Sequence, residues 1–457
     1  MSTISERIAA FTYRLRYEEL PPVVLEKAKL LVLDTLGVCI AARELDFAQA
    51  AVGLATRWAG PAEASILGNS AKVPAQSAAL VNGVMAHGQD FDDTHTESLV
   101  HPSGVMVPTL LAACERDGTS GAQALCALAG ATEAMIRLAL PAQHRFSHRG
   151  FQTTMVTGSF GAALISARTA GFDLEQTVHA LGIAGSFTSG LMECVPAGAS
   201  TKQVHPGWAA RSGLAAADFA AAGFTGPLTV FEGPLGLYSA FLHGQKELDL
   251  DSLFEGLGER WHLLDIRPKL YPCGHPLNTF IDCAAVLRRE LGNHTHRIAS
   301  VLCEPAPGAV SMMCEPWDRK TAPATGYDAR FSLPFGVAVM LLHGQVGMAE
   351  FNDTLANDPQ VRALMARMQY RVNPAFRHKD MPARITLTLD DGTALSHTVA
   401  SGRGDAAHPV MPAELLAKYR ENTRGIAART ADEVAQRVLA LEKESSLDAL
   451  MAMAREL

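Results

Sequence analysis

The chain has 457 residues, too many for one hydrophobic core, so two domains are expected. Hydrophobic residues make up 48% and aromatic ones only 6%, with 19% charged, the profile of an alanine-rich and largely helical globular protein. A net charge of −8 without a Lys/Arg run argues against a phosphate-tracking surface, so no nucleic-acid partner is expected.

The first residues, Met1-Ser2-Thr3-Ile4-Ser5-Glu6-Arg7, hold no basic region leading into an apolar stretch, so no signal peptide is expected. Pro21-Pro22 precede a helix over 23–42, where Leu30, Leu33 and Leu36 recur at helical spacing. Asp34 and Thr35 interrupt its apolar run, so it reads as a buried helix, and no membrane partner is expected. Further helices are predicted over 75–87, with Leu80, Val84 and His87 on one face, then 105–117, 121–140, 154–170, 174–189 and 206–222. Strand-like segments follow at 297–303, 329–333 and 384–399, accompanied by helices over 276–291 and 334–343. In the last strand segment Ile385, Leu387 and Leu389 alternate with polar residues, and Asp391-Gly392 supplies a hairpin turn. Helices over 411–421 and 431–441 lack a sheet of their own. The fold class is therefore mainly α. A large all-helical domain is built from both chain ends (1–264 and 403–457), and a smaller inserted α+β lid domain covers 265–402, with hinges near 265–268 and 402–405. Eight scattered cysteines without a CxxC pair exclude zinc-ribbon and thioredoxin readings, and a reduced, cytoplasmic location is the expectation.

The most informative stretch is Gln89-Asp90-Phe91-Asp92-Asp93-Thr94-His95, followed by His101-Pro102-Ser103-Gly104. Such a charge cluster is costly beside a packed core unless it is hydrogen-bonded or does chemistry. An aspartate beside a histidine fixes its tautomer and raises its basicity, which makes an acid/base unit. Three more groups are Ser147-His148-Arg149-Gly150-Phe151-Gln152, Ser200-Thr201-Lys202, and Arg267-Pro268-Lys269-Leu270-Tyr271-Pro272-Cys273-Gly274-His275. His101, Arg149 and Lys202 each precede a predicted helix start, where free N–H donors favour anions. Converging, with Lys269 from the smaller domain, they form a pocket for a carboxylate-rich substrate. Taken singly, Arg149 and Lys202 read as surface charges, and one or both of Asp92 and Asp93 as turn or cap residues. His87, Asp90, His95 and His101 are the rival metal ligands. No HExxH spacing occurs and the pocket cations oppose a metal ion, so no metal or other cofactor is expected.

Leu33-Asp34-Thr35-Leu36-Gly37, Asp90-Phe91-Asp92-Asp93-Thr94 with His101-Pro102-Ser103, His148-Arg149-Gly150-Phe151 ahead of Gly158-Ser159-Phe160-Gly161-Ala162-Ala163, Thr201-Lys202 and Lys269-Leu270-Tyr271-Pro272-Cys273 fall in one order. In them the chain resembles, over essentially its whole length, the MmgE/PrpD family, which includes 2-methylcitrate dehydratase, cis-aconitate decarboxylase and iminodisuccinate epimerase. The resemblance implies a helical domain built from both chain ends with a smaller lid, a homodimer, and metal-independent catalysis on small polycarboxylates. The family's active-site positions fall on Asp90, Thr94, His101, Lys202 and Lys269. Three positions depart from its pattern: Gln152 where a histidine is common, Gly274 (with His275 beside it) where decarboxylases have a histidine, and Phe335 where they have a tyrosine.

The resulting expectation is a cofactor-free lyase of dehydratase type acting on a small di- or tricarboxylate. His101, oriented by Asp90, moves the proton. Lys202, Lys269 and Arg149 face the developing carboxylate charge, while Thr94, Gln152 and His275 bind substrate. Closure of the lid through Lys269 excludes water. An epimerase or isomerase, a decarboxylase, or a family member that only binds polycarboxylates are the alternatives.

Overall fold

The helical period that dominates the sequence is realised in a computed structural model that describes residues 2–58, 60–243, 248–292, 294–404 and 408–457. The chain forms two compact units. The larger comprises Met1–Gly88, Asp92–Pro268 and Met411–Leu457, and the smaller Gln89–Phe91 with Lys269–Val410. The changeovers therefore fall at Pro268/Lys269 and Val410/Met411. Of the expected second hinge, 402–405, Asp405 lies outside the described residues.

The larger unit begins with α1 (Ile4–Arg14), opened by a capping box in which Thr3 and Glu6 satisfy each other's backbone N–H. α2 (Pro22–Ala42) is buried along most of its length, as its largely apolar run from Leu30 requires, and α3 (Asp46–Arg57) lies on the surface. A short hairpin of β1 (Ala64–Ser65) and β2 (Lys72–Val73) follows. The core helices are α4 (Ala75–His87), α5 (Ser103–Asp117), α6 (Gly121–Ala139), α8 (Thr153–Thr169), α9 (Leu174–Phe187) and α10 (His205–Ala221). α7 (Arg145–His148) and α11 (Leu237–Leu242) are short. The segment Gly121–Ala142 is long and apolar enough to cross a membrane, yet 94% of its most apolar 18-residue window is buried. Its two central charges, Glu133 and Arg137, neutralise each other at 2.7 Å.

Glycines set the helix spacing where it matters for the site. A Cβ on Gly83 of α4 would fall 2.5 Å from Gly207 Cα of α10, and one on Gly207 would fall 2.2 Å from the Leu80 carbonyl. The two backbones touch, which brings His87 at the end of α4 beside His205 at the start of α10. The C-terminal helices α19 (Pro412–Asn422), α20 (Ala428–Leu439) and α21 (Asp448–Ala454) complete this unit. Asp34 of α2 meets Lys418 of α19 at 2.8 Å, and the Asp34 of the Leu-Asp-Thr-Leu-Gly segment is thus a buried anchor for the returning chain.

The smaller unit packs α12 (His275–Leu291) and α16 (Leu333–His343) with a four-stranded sheet in the order β4-β3-β5-β6. β3 (Ile298–Pro305) runs parallel to β4 (Met368–Tyr370) and antiparallel to β5 (Ala383–Leu389), which pairs with β6 (Ala394–Val399). The predicted hairpin is present, with Gly392 at φ 82° in its turn and the alternating Ile385, Leu387 and Leu389 buried. Short helices α13 (Val310–Met313), α14 (Trp317–Lys320), α15 (Gly326–Ala329), α17 (Asp353–Ala356) and α18 (Pro359–Met365) fill the connections. The strand expected over 329–333 is absent. Ser332 caps α16 by accepting from the Phe335 N–H, and Pro334 fits its first turn, so this apolar segment starts a helix.

Candidate active site

In the larger unit the residues around the FDDT segment close into a buried cluster built from four chain segments. His87 ends α4 and its ring has no exposed surface. Its Nδ1 lies 2.7 Å from Asp92 Oδ2 and its Nε2 lies 3.0 Å from Lys202 Nζ and 3.3 Å from Gln152 Nε2. Gln152 stands at the N-cap of α8, and its Oε1 lies 2.9 Å from His205 Nδ1 at the head of α10. Lys202 comes from the single 3-10 turn Ser200–Val204 that leads into α10.

The partners fix the protons. Asp92 only accepts and an ammonium only donates, so His87 carries hydrogen on Nδ1 and a lone pair on Nε2. Gln152 then turns its amide nitrogen to His87 and its oxygen to the Nδ1–H of His205. Burial, and then the neighbouring His87 and Lys202, lower the His205 pKa to about 4, so it is neutral near pH 7.

His101 adjoins this line, its ring edge-on to that of His87 at 5.0 Å. Its Nδ1 donates to the Asp93 carbonyl oxygen at 2.7 Å, with Thr94 Oγ1 at 3.3 Å and Asp92 Oδ1 at 3.7 Å. The lone pair of His101 is thereby placed on Nε2. Within the larger unit it is Asp92 whose carboxylate lies beside this ring; Asp90, the residue expected to orient His101, pairs with Lys269 in the smaller unit. Asp93 turns the other way, accepting the Ser103 N–H at 3.1 Å and the Ser103 hydroxyl at the start of α5, and burial raises its pKa to about 7. A Cβ on Gly104 would fall 2.7 Å from Asp92 Oδ2, so only glycine lets that carboxylate lie against the helix.

Of the other expected residues, one is exposed and three belong to the smaller unit. Arg149 is exposed, its guanidinium against His243, and so does not join the buried cluster. A helix start nearby does not turn a side chain inward, and here the one-turn helix α7 ends just before it. Asp90, Lys269 and His275 belong to the smaller unit. Asp90 adopts φ 52°, a left-handed conformation tolerated by aspartate, and both its carbonyl and its carboxylate accept from Lys269 Nζ. Arg330 donates to the carbonyls of Gln89 (3.0 Å) and Pro272 (2.5 Å), which ties Gln89–Phe91 to this unit. Its pKa, lowered by burial to about 10, still leaves it charged near neutral pH. His275 opens α12, and Phe335 is a core ring against Phe351.

Among the described residues, two groups have metal-ligating atoms within 4.8 Å of one another: His87, Asp92 and His101, and separately His95, His262 and Asp265. The first has the Lys202 ammonium 3.0 Å from His87, which opposes a second cation there. In the second, burial lowers His95 to about 3 and His262 to about 4, and Arg260 sits 4.0 Å from Asp265. Sequence reasoning missed His205 and Arg330, and saw His87 only as a helix-face residue and a rival ligand. The one available signal was spacing: His87 lies five residues before Asp92, and His205 three after Lys202.

The chain matches the MmgE/PrpD N-terminal domain over residues 6–249 and the MmgE/PrpD C-terminal domain over residues 271–443. It is 26% identical to the cis-aconitate decarboxylase of Mus musculus, covering 100% of this chain and 93% of that one. Identity to the cis-aconitate decarboxylase of Homo sapiens is 26%, covering 92% and 88%. For the cis-aconitate decarboxylase-like protein oryM of Aspergillus oryzae it is 25%, covering 98% and 97%. With both domains of the family matched in order along nearly the whole chain, the protein belongs to the MmgE/PrpD family.

Proposed function

We propose that this protein is a metal-free lyase acting on a small di- or tricarboxylate, through a carbanion-like intermediate next to a carboxylate. The observation that carries the reading is the pairing of His101, its Nδ1–H held by the Asp93 carbonyl, with the buried Lys202 in one cluster. His101 Nε2 takes or returns the proton at carbon. Lys202 faces the charge that gathers on the carboxylate oxygens, and its burial strengthens that interaction over the same contact in water. Asp92, beside both His87 and His101, replaces Asp90 as the orienting carboxylate. Thr94 supports the His101 ring, and Gln152 offers hydrogen bonds from the head of α8.

Two chemistries fit. The relatives are named cis-aconitate decarboxylases, which favours loss of carbon dioxide. Gln152, an amide that cannot transfer a proton, stands where the family often has a histidine; this counts against decarboxylation and keeps the dehydratase reading, in which another group must protonate the departing hydroxide. The homodimer and the water-excluding closure implied by the family belong to the same proposal.

Proton NMR of chelator-treated protein in heavy water, with 2-methylcitrate, citrate, cis-aconitate and iminodisuccinate, tests it. Decarboxylation or elimination in any one, lost in His101→Ala, is the expected result. Deuterium exchange without elimination moves the reading to an epimerase. Ligand-dependent thermal stabilisation without turnover moves it to a binding protein, and no change with any member sinks it for these acids.

A further inference from the structure

His87 stands between a buried carboxylate and a buried ammonium, 2.7 Å from one and 3.0 Å from the other. Each alternative proton arrangement is penalised. Protonated His87 would set two cations 3.0 Å apart with no exposed ring surface to solvate them. The Nε2–H tautomer would face lone pair to lone pair at Asp92 and hydrogen to hydrogen at Lys202. Gln152 adds a second donor to the same nitrogen, and its own orientation is fixed through His205.

We propose that His87 is a positioning residue: its Nε2 lone pair, set by Asp92, holds one N–H of Lys202 and so aims the other two. The Gly83–Gly207 approach and the small Gly104 keep the three groups in register. Asp92 and Lys202 are thus linked through the imidazole, in a carboxylate–imidazole–ammonium line. This deepens the lyase reading, on which only the activity arm of the test depends.

Nitrogen NMR of the full chain labelled at histidine reads the tautomer directly, the His87 signals being those lost in His87→Phe. The neutral Nδ1–H form near neutral pH, displaced in Asp92→Asn, is expected. An Nε2–H or doubly protonated His87 overturns the proposal whatever the substrate proves to be. With a turned-over acid in hand, His87→Phe should lower kcat/KM roughly 100-fold, the scale of a misplaced charge-stabilising or proton-handling group. His87→Gln, whose amide oxygen reaches the place of Nε2, should regain about tenfold of that. Equal activity of the Phe and Gln variants, both shown folded by thermal melting, overturns it. Absence of turnover in the wild type fails the lyase reading alone, and the tautomer still decides the role of His87.

Discussion

Asp90 and Asp92 are two residues apart, both buried, and each is linked to a buried lysine, yet by different means. In the smaller unit Asp90 meets Lys269 directly, through carboxylate and carbonyl together, as Asp34 meets Lys418 elsewhere. In the larger unit the His87 ring separates Asp92 from Lys202. A direct pair is self-satisfied: its charges neutralise each other and little field remains beyond it. The interposed ring leaves carboxylate and ammonium at opposite ends of a hydrogen-bonded line, which costs more to bury than a direct pair.

Breaking each arrangement in turn gives the largest expected effect. Lys269→Met leaves a buried carboxylate without its ammonium and should cost about 3–5 kcal/mol in denaturant unfolding. Lys202→Met removes the charged donor to a neutral imidazole nitrogen that Gln152 still reaches, and should cost only about 1–3 kcal/mol. Equal losses would remove the distinction between the two lines.

A smaller effect comes from the third aspartate. The Asp93 pKa is raised by burial to about 7, so its folded state binds a proton more tightly than the unfolded chain does. That contribution is fully present below the unfolded carboxyl pKa near 4 and is lost as pH rises to about 7, at most about 4 kcal/mol. Asp93→Asn cannot titrate. Its stability relative to the wild type should therefore improve across that window, as paired melts at successive pH values would show. A constant difference would mean that Ser103 and the helix start hold the carboxylate ionised.

The smallest effect probes fit. Gly104→Ala puts a methyl group against Asp92 Oδ2 and should cost about 1–3 kcal/mol by overpacking, with a longer Asp92–His87 contact in a crystal structure. An unshifted melting temperature would show that the carboxylate has room to move.

Much of this was legible in the chain. Apolar spacing gave the long helices because burial selects one face of a 3.6-residue period, and strict alternation with Asp-Gly gave the β5–β6 hairpin. The strand expected over 329–333 failed because Ser332 and Pro334 act as helix-start residues, a local signal that outweighs a short apolar run. Charge density marked the FDDT segment, since carboxylates crowd beside a core only where something holds them. Sequence alone thus determined the helical class, the α+β segment and the neighbourhood of the buried cluster. It could not pair the groups. Whether Asp90 or Asp92 serves a histidine depends on which side of a left-handed residue each carboxylate leaves the chain. Whether Lys202 or Arg149 is buried depends on the helices that cover it. His87 and His205 became partners only because two glycines let α4 and α10 touch. Those choices are made by backbone contacts between residues more than a hundred apart, and only the tertiary structure contains them.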